Sequence, residues 1–160
     1  MTEQRGDEID WLLRGVDWTA LGADPTVVTS AFRHLRQVGS REAGQDAYDE
    51  VLDAIGHNHS GWLFDAAGPA ATILVAITRA TRGWARRTAI EILIDCLAWV
   101  RPEQRFVDSY GRACSVDAAL VDAIESLEAE LRVMAADADT TVPVGKSATD
   151  LLKALREHEA

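Results

Sequence analysis

Two histidines that could bind a metal ion lie two positions apart, at His57 and His59. Asp53 precedes them and Asp65 follows them, and imidazole and carboxylate groups are both zinc ligands. A zinc site needs three or four converging ligands, yet the sequence has no HExxH motif and no second histidine pair. We therefore predict no metal and no cofactor, and expect His57 to pack under a turn and hydrogen-bond to a helix-end carbonyl. A small metal- or ligand-binding domain or enzyme, centred on Asp53, His57, His59 and Asp65, is the alternative.

No other stretch carries a catalytic pattern. There is no GxSxG nucleophile motif. Gly145-Lys146-Ser147 has the ending of a phosphate-binding loop, but the earlier glycine of that motif is replaced by Thr140 and no strand precedes it. We therefore predict that the protein is not an enzyme.

Aromatic residues follow the two histidines. Trp62 and Phe64 lie just before an apolar run, and Trp84 lies just after it. Such residues most often close the ends of a core. Exposed, they would instead be anchors for a partner protein, since tryptophan and tyrosine are enriched at binding hot spots. Both interpretations stay open for Trp62, Phe64 and Trp84. The candidate protein-binding residues of this connector are His57, His59, Trp62 and Phe64.

The longest predicted helix, Val116 to about Ala136, carries one strongly acidic face. Arg132 is the only nearby cation. A solvated surface is the ordinary interpretation, whereas a basic partner attracted to the face is the functional one. The acidic residues of this region, of which the first four are our candidate binding residues, are Asp117, Asp122, Glu125, Glu128, Glu130 and Asp137.

The whole chain is acidic, with a formal net charge of −10. That charge disfavours nonspecific binding to nucleic acid and to anionic membranes, and it favours a basic protein partner. The longest apolar run, Ala66 to Ile77, is too short to span a bilayer. The two cysteines form no CxxC motif, and the first residues lack the pattern of a signal peptide. We therefore expect a cytoplasmic protein with no nucleic acid or membrane partner.

Apolar residues recur at helical spacing along most of the chain. No stretch alternates in the strand pattern, and no Asn-Gly or Asp-Gly turn occurs. We predict one all-α domain over residues 1–160, in which residues 1–22 pack against the body and 102–114 form a polar loop. The six main helices are predicted at 25–38, 45–55, 66–80, 85–100, 116–136 and 147–156.

Two of these helices are similar in sequence. ARRTAIEILIDCL aligns with VGKSATDLLKAL, which places Ala89 on Ala148 and Leu93 on Leu152. Each has a basic residue before the shared alanine, as in the second helix of a HEAT repeat. Earlier in the chain come Trp18-Thr19-Ala20-Leu21, Asp24-Pro25, His57 and Pro69-Ala70, in that order.

This order resembles a bacterial family of HEAT-like, armadillo-type α-solenoid proteins of poorly defined function. It departs from the family at His57-Asn58-His59, where a glutamine-glycine turn is expected. The resemblance implies stacked antiparallel helix pairs that bury a shared core. It also implies a protein-binding scaffold, and some such proteins act beside toxins. We therefore expect a scaffold that inhibits a basic toxin or effector as an immunity protein. A homo-oligomer without a separate partner is a further alternative.

Overall fold

A computed structural model describes residues 2–56 and 63–160, which form eight α-helices and one short β-hairpin. The all-α prediction is confirmed. The helices are α1 Thr2–Arg14, α2 Pro25–Gln37, α3 Arg41–Ala54, α4 Ala67–Ala80, α5 Gly83–Trp99, α6 Val116–Glu125, α7 Glu128–Ala135 and α8 Val144–Glu159. The strands are β1 Arg105–Val107 and β2 Ala113–Ser115. None of the helices in the described part of the chain combines the length and apolarity that crossing a bilayer requires.

Helices α4 and α5 form the middle of the molecule. Helix α4 contacts α1, α5 and α6, and α5 contacts α3, α4 and α8. A helix that is apolar on most sides is stable only between other helices, so the apolar run of α4 explains this position. Cys96 lies on the buried side of α5, and burial raises the pKa of its thiol to about 12. A thiol with such a pKa is a hydrophobic core group and not a nucleophile.

Several helix starts follow the capping residues in the sequence. The Asp24 carboxylate accepts a hydrogen bond from the Thr26 N–H at 2.9 Å, and Pro25 opens α2 as predicted. The Ser40 hydroxyl accepts from the Ala43 N–H at 3.1 Å. Helix α3 therefore begins at Arg41, four residues before its predicted start at 45. Ser115 caps α6 in the same way, as predicted, by accepting from the Ala118 N–H.

The first residues, which we predicted only to pack against the body, form a helix, α1. Ile9 and Leu13 of α1 are buried, and α1 rests on α4. Trp18 is also buried, as predicted, and its indole N–H donates to the Leu13 carbonyl at 2.9 Å. The early part of α1 has few apolar residues, so its periodicity is visible only from Ile9 onward.

The predicted absence of strands, and of structure in the polar loop 102–114, was wrong. β1 and β2 pair antiparallel, with Phe106 opposite Cys114. Their turn is held by Asp108, whose carboxylate accepts from the Tyr110 and Arg112 N–H groups, both at 2.9 Å. Gly111 has a φ of 77°, which glycine adopts readily. A search for two-residue Asn-Gly and Asp-Gly turns misses this longer turn.

The predicted long helix 116–136 is interrupted, so that prediction was also wrong. Helix α6 ends at Glu125 and α7 begins at Glu128. The Arg79 guanidinium of α4 donates to the Ser126 carbonyl at 2.7 Å. In an uninterrupted helix that carbonyl would accept from the Glu130 N–H. A contact from a distant helix therefore takes the place of a helical hydrogen bond.

Helices α5 and α8 pack on each other, and their aligned residues play similar roles. Ala89, Leu93, Ala148 and Leu152 are all buried. Arg87 pairs with Glu91 at 2.8 Å, and at the aligned positions Lys146 pairs with Asp150 at 2.8 Å. The stacked packing of helices is consistent with the predicted architecture.

Gly145, which begins the Gly145-Lys146-Ser147 segment that is similar to the end of a phosphate-binding loop, has a packing role. A Cβ at this position would lie 2.6 Å from the Asp137 carbonyl oxygen, so glycine lets the start of α8 approach the end of α7.

Candidate functional site

The connector between α3 and α4 is only partly described. His57, His59 and Trp62 lie outside the described residues, so the predictions for them stay predictions. Phe64 is 39% exposed. Asp53 is exposed on α3. Asp65 is half-buried and accepts a hydrogen bond from the Gln104 side chain at 3.4 Å. Within residues 2–56 and 63–160, no three His, Cys, Asp or Glu side chains lie together as a metal site would require.

The acidic residues of α6 and α7 divide into two groups, and each acid of the first group pairs with a basic side chain. Asp117 pairs with His158 of α8. Glu130 pairs with Arg79 of α4 at 2.8 Å, and Glu128 pairs with Arg132 at 2.6 Å. The Glu130 N–H and the Arg79 guanidinium hydrogen-bond to the Glu130 carboxylate and lower its pKa. These acids have structural partners, two of which come from other helices.

The second group is Asp122 and Glu125, both exposed on α6. Neither forms an ion pair with a cation of the described chain. Glu125 instead lies beside another acid, Glu159 of α8. A hydrogen bond to the Glu159 carboxyl raises the pKa of Glu125, and a small loss of hydration and the negative charges of neighbouring acids raise it further. Uncompensated negative charge is thus concentrated at these two residues.

Asp122 lies on one wall of a groove of about 610 Å³ between α1, α4 and α6, which we call the acid-rimmed groove. Glu8 of α1 lies on the other wall, and it too lacks an ion-pair partner among the described residues. The remaining lining is mainly small or apolar, and comprises Leu12, Thr72, Val75, Ala76, Arg79, Ala119, Ala123 and Ser126. The groove therefore combines small, apolar and polar side chains with an unpaired acid on α1 and another on α6.

Two residues of this region were not identified from the sequence. Glu8 was not singled out, because α1 was not expected to reach the acidic helix. Trp11, next to the groove-lining Leu12, is 68% exposed. The sequence did contain a signal for Trp11, because it follows the acids Asp7, Glu8 and Asp10. A tryptophan of the core is rarely surrounded by charged residues on a polar helix face.

A second opening, the α3–α5 cleft, measures about 340 Å³ and is richer in polar groups. Arg87 pairs with Glu91 at 2.8 Å, and the Ser147 hydroxyl donates to Glu91 at 3.3 Å. The Tyr48 hydroxyl donates to the Asp95 carboxylate. Burial, followed by the hydrogen bond to Asp95, raises the pKa of Tyr48.

The Arg87 guanidinium also lies 5.2 Å from the ring centre of Trp84. Its buried Nε has no acceptor among the described residues. The charge of Arg87 is nevertheless balanced by Glu91. The polar stripe of α5 thus ties α3, α5 and α8 together.

Comparisons with protein-family models, with curated proteins and with solved structures find no match.

Proposed function

We propose that this protein is a non-enzymatic scaffold that binds a basic protein in the acid-rimmed groove. The observation that carries the proposal is the position of Asp122 and Glu8, which are unpaired acids on the α6 and α1 walls of one groove. Of the neighbouring acids, Glu128 and Glu130 have cationic partners within the chain, and Asp117 pairs with a histidine. A basic partner would supply the missing counter-charges and remove the repulsion between Glu125 and its acidic neighbours.

The acidic and the apolar residues of the groove are expected to contribute differently to binding. Acidic rims accelerate the encounter with a basic surface and disfavour acidic partners. Affinity comes mainly from buried apolar anchors, for which the half-buried Leu12 of the lining and the exposed Trp11 beside it are suited. The net charge of −10 acts in the same direction at longer range.

We also propose membership of the HEAT-like α-solenoid family and an immunity-type role against a basic toxin or effector. The resemblance in sequence supports the family, as does the ion pair repeated at Arg87–Glu91 and Lys146–Asp150. The immunity role rests on the resemblance and on the acidic surface. The low cysteine content supports a cytoplasmic location.

Affinity capture from the source cells tests the proposal. Wild type is compared with Asp122→Lys/Glu125→Lys and with Asp46→Lys/Asp53→Lys, a control that makes the same charge change on the exposed side of α3. We expect wild type and the control to retain one basic protein at low salt, identified by mass spectrometry, and the groove variant to lose it. The recovered protein is then purified and titrated against all three forms. A partner that all three hold equally, or no partner at low salt, would contradict the proposal.

The immunity role has a separate test. A neighbouring reading frame that encodes a secreted, basic, growth-inhibiting protein is expected. Co-expression of wild type should restore growth, and co-expression of Asp122→Lys/Glu125→Lys should not. Restored growth with the groove variant would separate the immunity role from the groove.

A further inference from the structure

We infer that the occupant of the acid-rimmed groove is an amphipathic α-helix of the basic partner, with an apolar stripe flanked on both sides by lysine or arginine. The inference rests on the proposed function and specifies the shape of the partner. It follows from the elements that line the groove, their spacing and their hydrogen bonding.

The lining residues of α4 and α6 have the spacing of helix faces that can pack against another helix. Helix α4 contributes Thr72, Val75, Ala76 and Arg79, and α6 contributes Ala119, Asp122, Ala123 and Ser126. Each set falls at positions i, i+3, i+4 and i+7. Small side chains in such rows leave shallow grooves in which the side-chain ridge of an approaching helix fits. The row on α6 spans about 10 Å, or roughly two turns.

The backbone in the groove favours a helix over an extended peptide. All the lining residues belong to helices except Ser126, which caps α6. The Ser126 carbonyl, which is released at the break, accepts from Arg79. An extended peptide binds well when a strand edge pairs with its backbone, and the lining offers none. Against the alanine and valine side chains of the lining, the N–H and C=O groups of an extended peptide would lose water without replacement, whereas a helix satisfies its own.

The charges define the sides of the bound helix. Glu8 and Asp122 lie on opposite walls, so cationic residues are expected on both flanks of the apolar stripe. Arg79 also lines the groove, but its positive charge is balanced by Glu130, with which it pairs at 2.8 Å. One-sided charge would leave either Glu8 or Asp122 uncompensated.

Two synthetic peptides test the inference. The first has about 18 residues, with leucine at helical spacing and lysine elsewhere. The second has the same composition, with leucine and lysine alternating in the strand period. Titration calorimetry at moderate salt should show at least about tenfold tighter binding of the helical peptide, a difference of about 1.4 kcal/mol. Circular dichroism should show that this peptide gains helix when bound.

A substitution that fills the groove provides a second test of the inference. Ala76→Trp places a large side chain on the floor of the groove, and Ala98→Trp makes the same change at an exposed position of α5. We expect Ala76→Trp to weaken binding of the helical peptide about tenfold or more and Ala98→Trp to leave it unchanged. Thermal unfolding of both variants verifies that they remain folded. If Ala76→Trp does not fold, Ala123→Leu replaces it.

The outcomes separate the two proposals. Equal binding of both peptides, lost in Asp122→Lys/Glu125→Lys, would overturn the helical occupant and leave the acidic binding surface intact. Peptide binding that the charge reversal does not weaken would contradict the proposed function itself. Binding that survives a filled groove would overturn the inference in either case.

Discussion

The α3–α5 cleft and the acid-rimmed groove both carry charged side chains, but they differ in how those charges are balanced. In the cleft, Arg87 pairs with Glu91, and Tyr48 donates to Asp95. In the groove, Glu8 and Asp122 have no cationic partner among the described residues. Arg41 and Glu42 also line the cleft without an ion pair among the described residues, but their opposite charges cancel, whereas the two unpaired charges of the groove are both negative.

This difference separates charge that holds the fold together from charge that is available to a partner. A group satisfied inside the protein gains little from a new contact, because it must first give up the old one. An exposed acid beside other acids gains from any approaching cation. Substitutions in the cleft should therefore change stability alone, and substitutions on the groove rim should change binding alone.

The largest effect is expected in the cleft. Tyr48→Ala removes a half-buried ring and the donor to Asp95, and should lower the free energy of unfolding by about 2 kcal/mol. Tyr110→Ala is the control, because Tyr110 is 82% exposed on the hairpin and its loss should cost less than about 0.5 kcal/mol. Urea unfolding followed by circular dichroism measures both. Affinity for the helical lysine–leucine peptide should be the same in the two variants; weaker binding by Tyr48→Ala would erase the proposed distinction.

The next effect concerns the α1 wall of the groove. Glu8→Lys should weaken binding of the helical peptide about tenfold, because a like charge replaces an attractive one beside the bound lysines. Asp7→Lys changes the neighbouring exposed residue by the same charge and should weaken binding by about twofold or less. Calorimetry at two salt concentrations measures the difference, which should shrink as salt rises. Equal losses in the two variants would mean that only net charge matters.

A smaller effect is expected from pH, through Glu125. The Glu159 carboxyl and the other causes named above raise the pKa of Glu125 above its ordinary value of 4.5. Glu125 is therefore partly protonated at pH values just above 4.5, where lysine stays fully charged. Affinity for the peptide should rise as the pH increases through this range and Glu125 ionises.

Glu159→Gln tests the origin of that pH dependence. The substitution removes the acid that raises the pKa of Glu125, so the rise in affinity should shift to lower pH. The same change bears on stability. A carboxyl whose pKa is raised by folding stabilises the fold below its unfolded pKa, and this contribution is lost as the pH rises through the raised value. An unchanged pH profile in Glu159→Gln would show that Glu159 does not control Glu125.

The smallest expected effect is an increase in affinity for the peptide. Arg132→Ala removes the cation that pairs with Glu128 at 2.6 Å on the exposed side of α7. An exposed pair of this kind contributes about 0.5 kcal/mol or less to stability. Affinity for the peptide should increase about twofold as one more acid becomes unbalanced. Lys153→Ala, which removes an exposed lysine of α8 paired with Glu157, is the control for net charge.

The sequence predicted the parts of the fold that local chemistry determines. Asp24-Pro25 and Ser115 mark helix starts through their own side chains, and the apolar run of α4 requires burial. It did not predict the break after Glu125, because the Arg79 contact that accompanies it comes from 47 residues away. The hairpin was missed because three-residue strands are too short to show an alternating pattern.

The candidate site was predictable only where local sequence determines it. Asp122 and Glu125 were identified as members of an acidic face. Their distinction from Asp117 and Glu130 depends on His158 and Arg79, which are distant in sequence. Sequence shows where acids are concentrated, and only the fold shows which of them lack a partner.

The most direct test of the acid-rimmed groove is a titration of isotope-labelled protein with the helical lysine–leucine peptide, followed residue by residue by NMR. We predict saturable shifts in the amide signals of Val75, Ala76, Ala119 and Ala123. Signals of Asp46 and Asp53, which belong to an equally acidic but exposed face of α3, should hardly move. Shifts spread over both acidic faces, or centred on the α3–α5 cleft, would contradict the account.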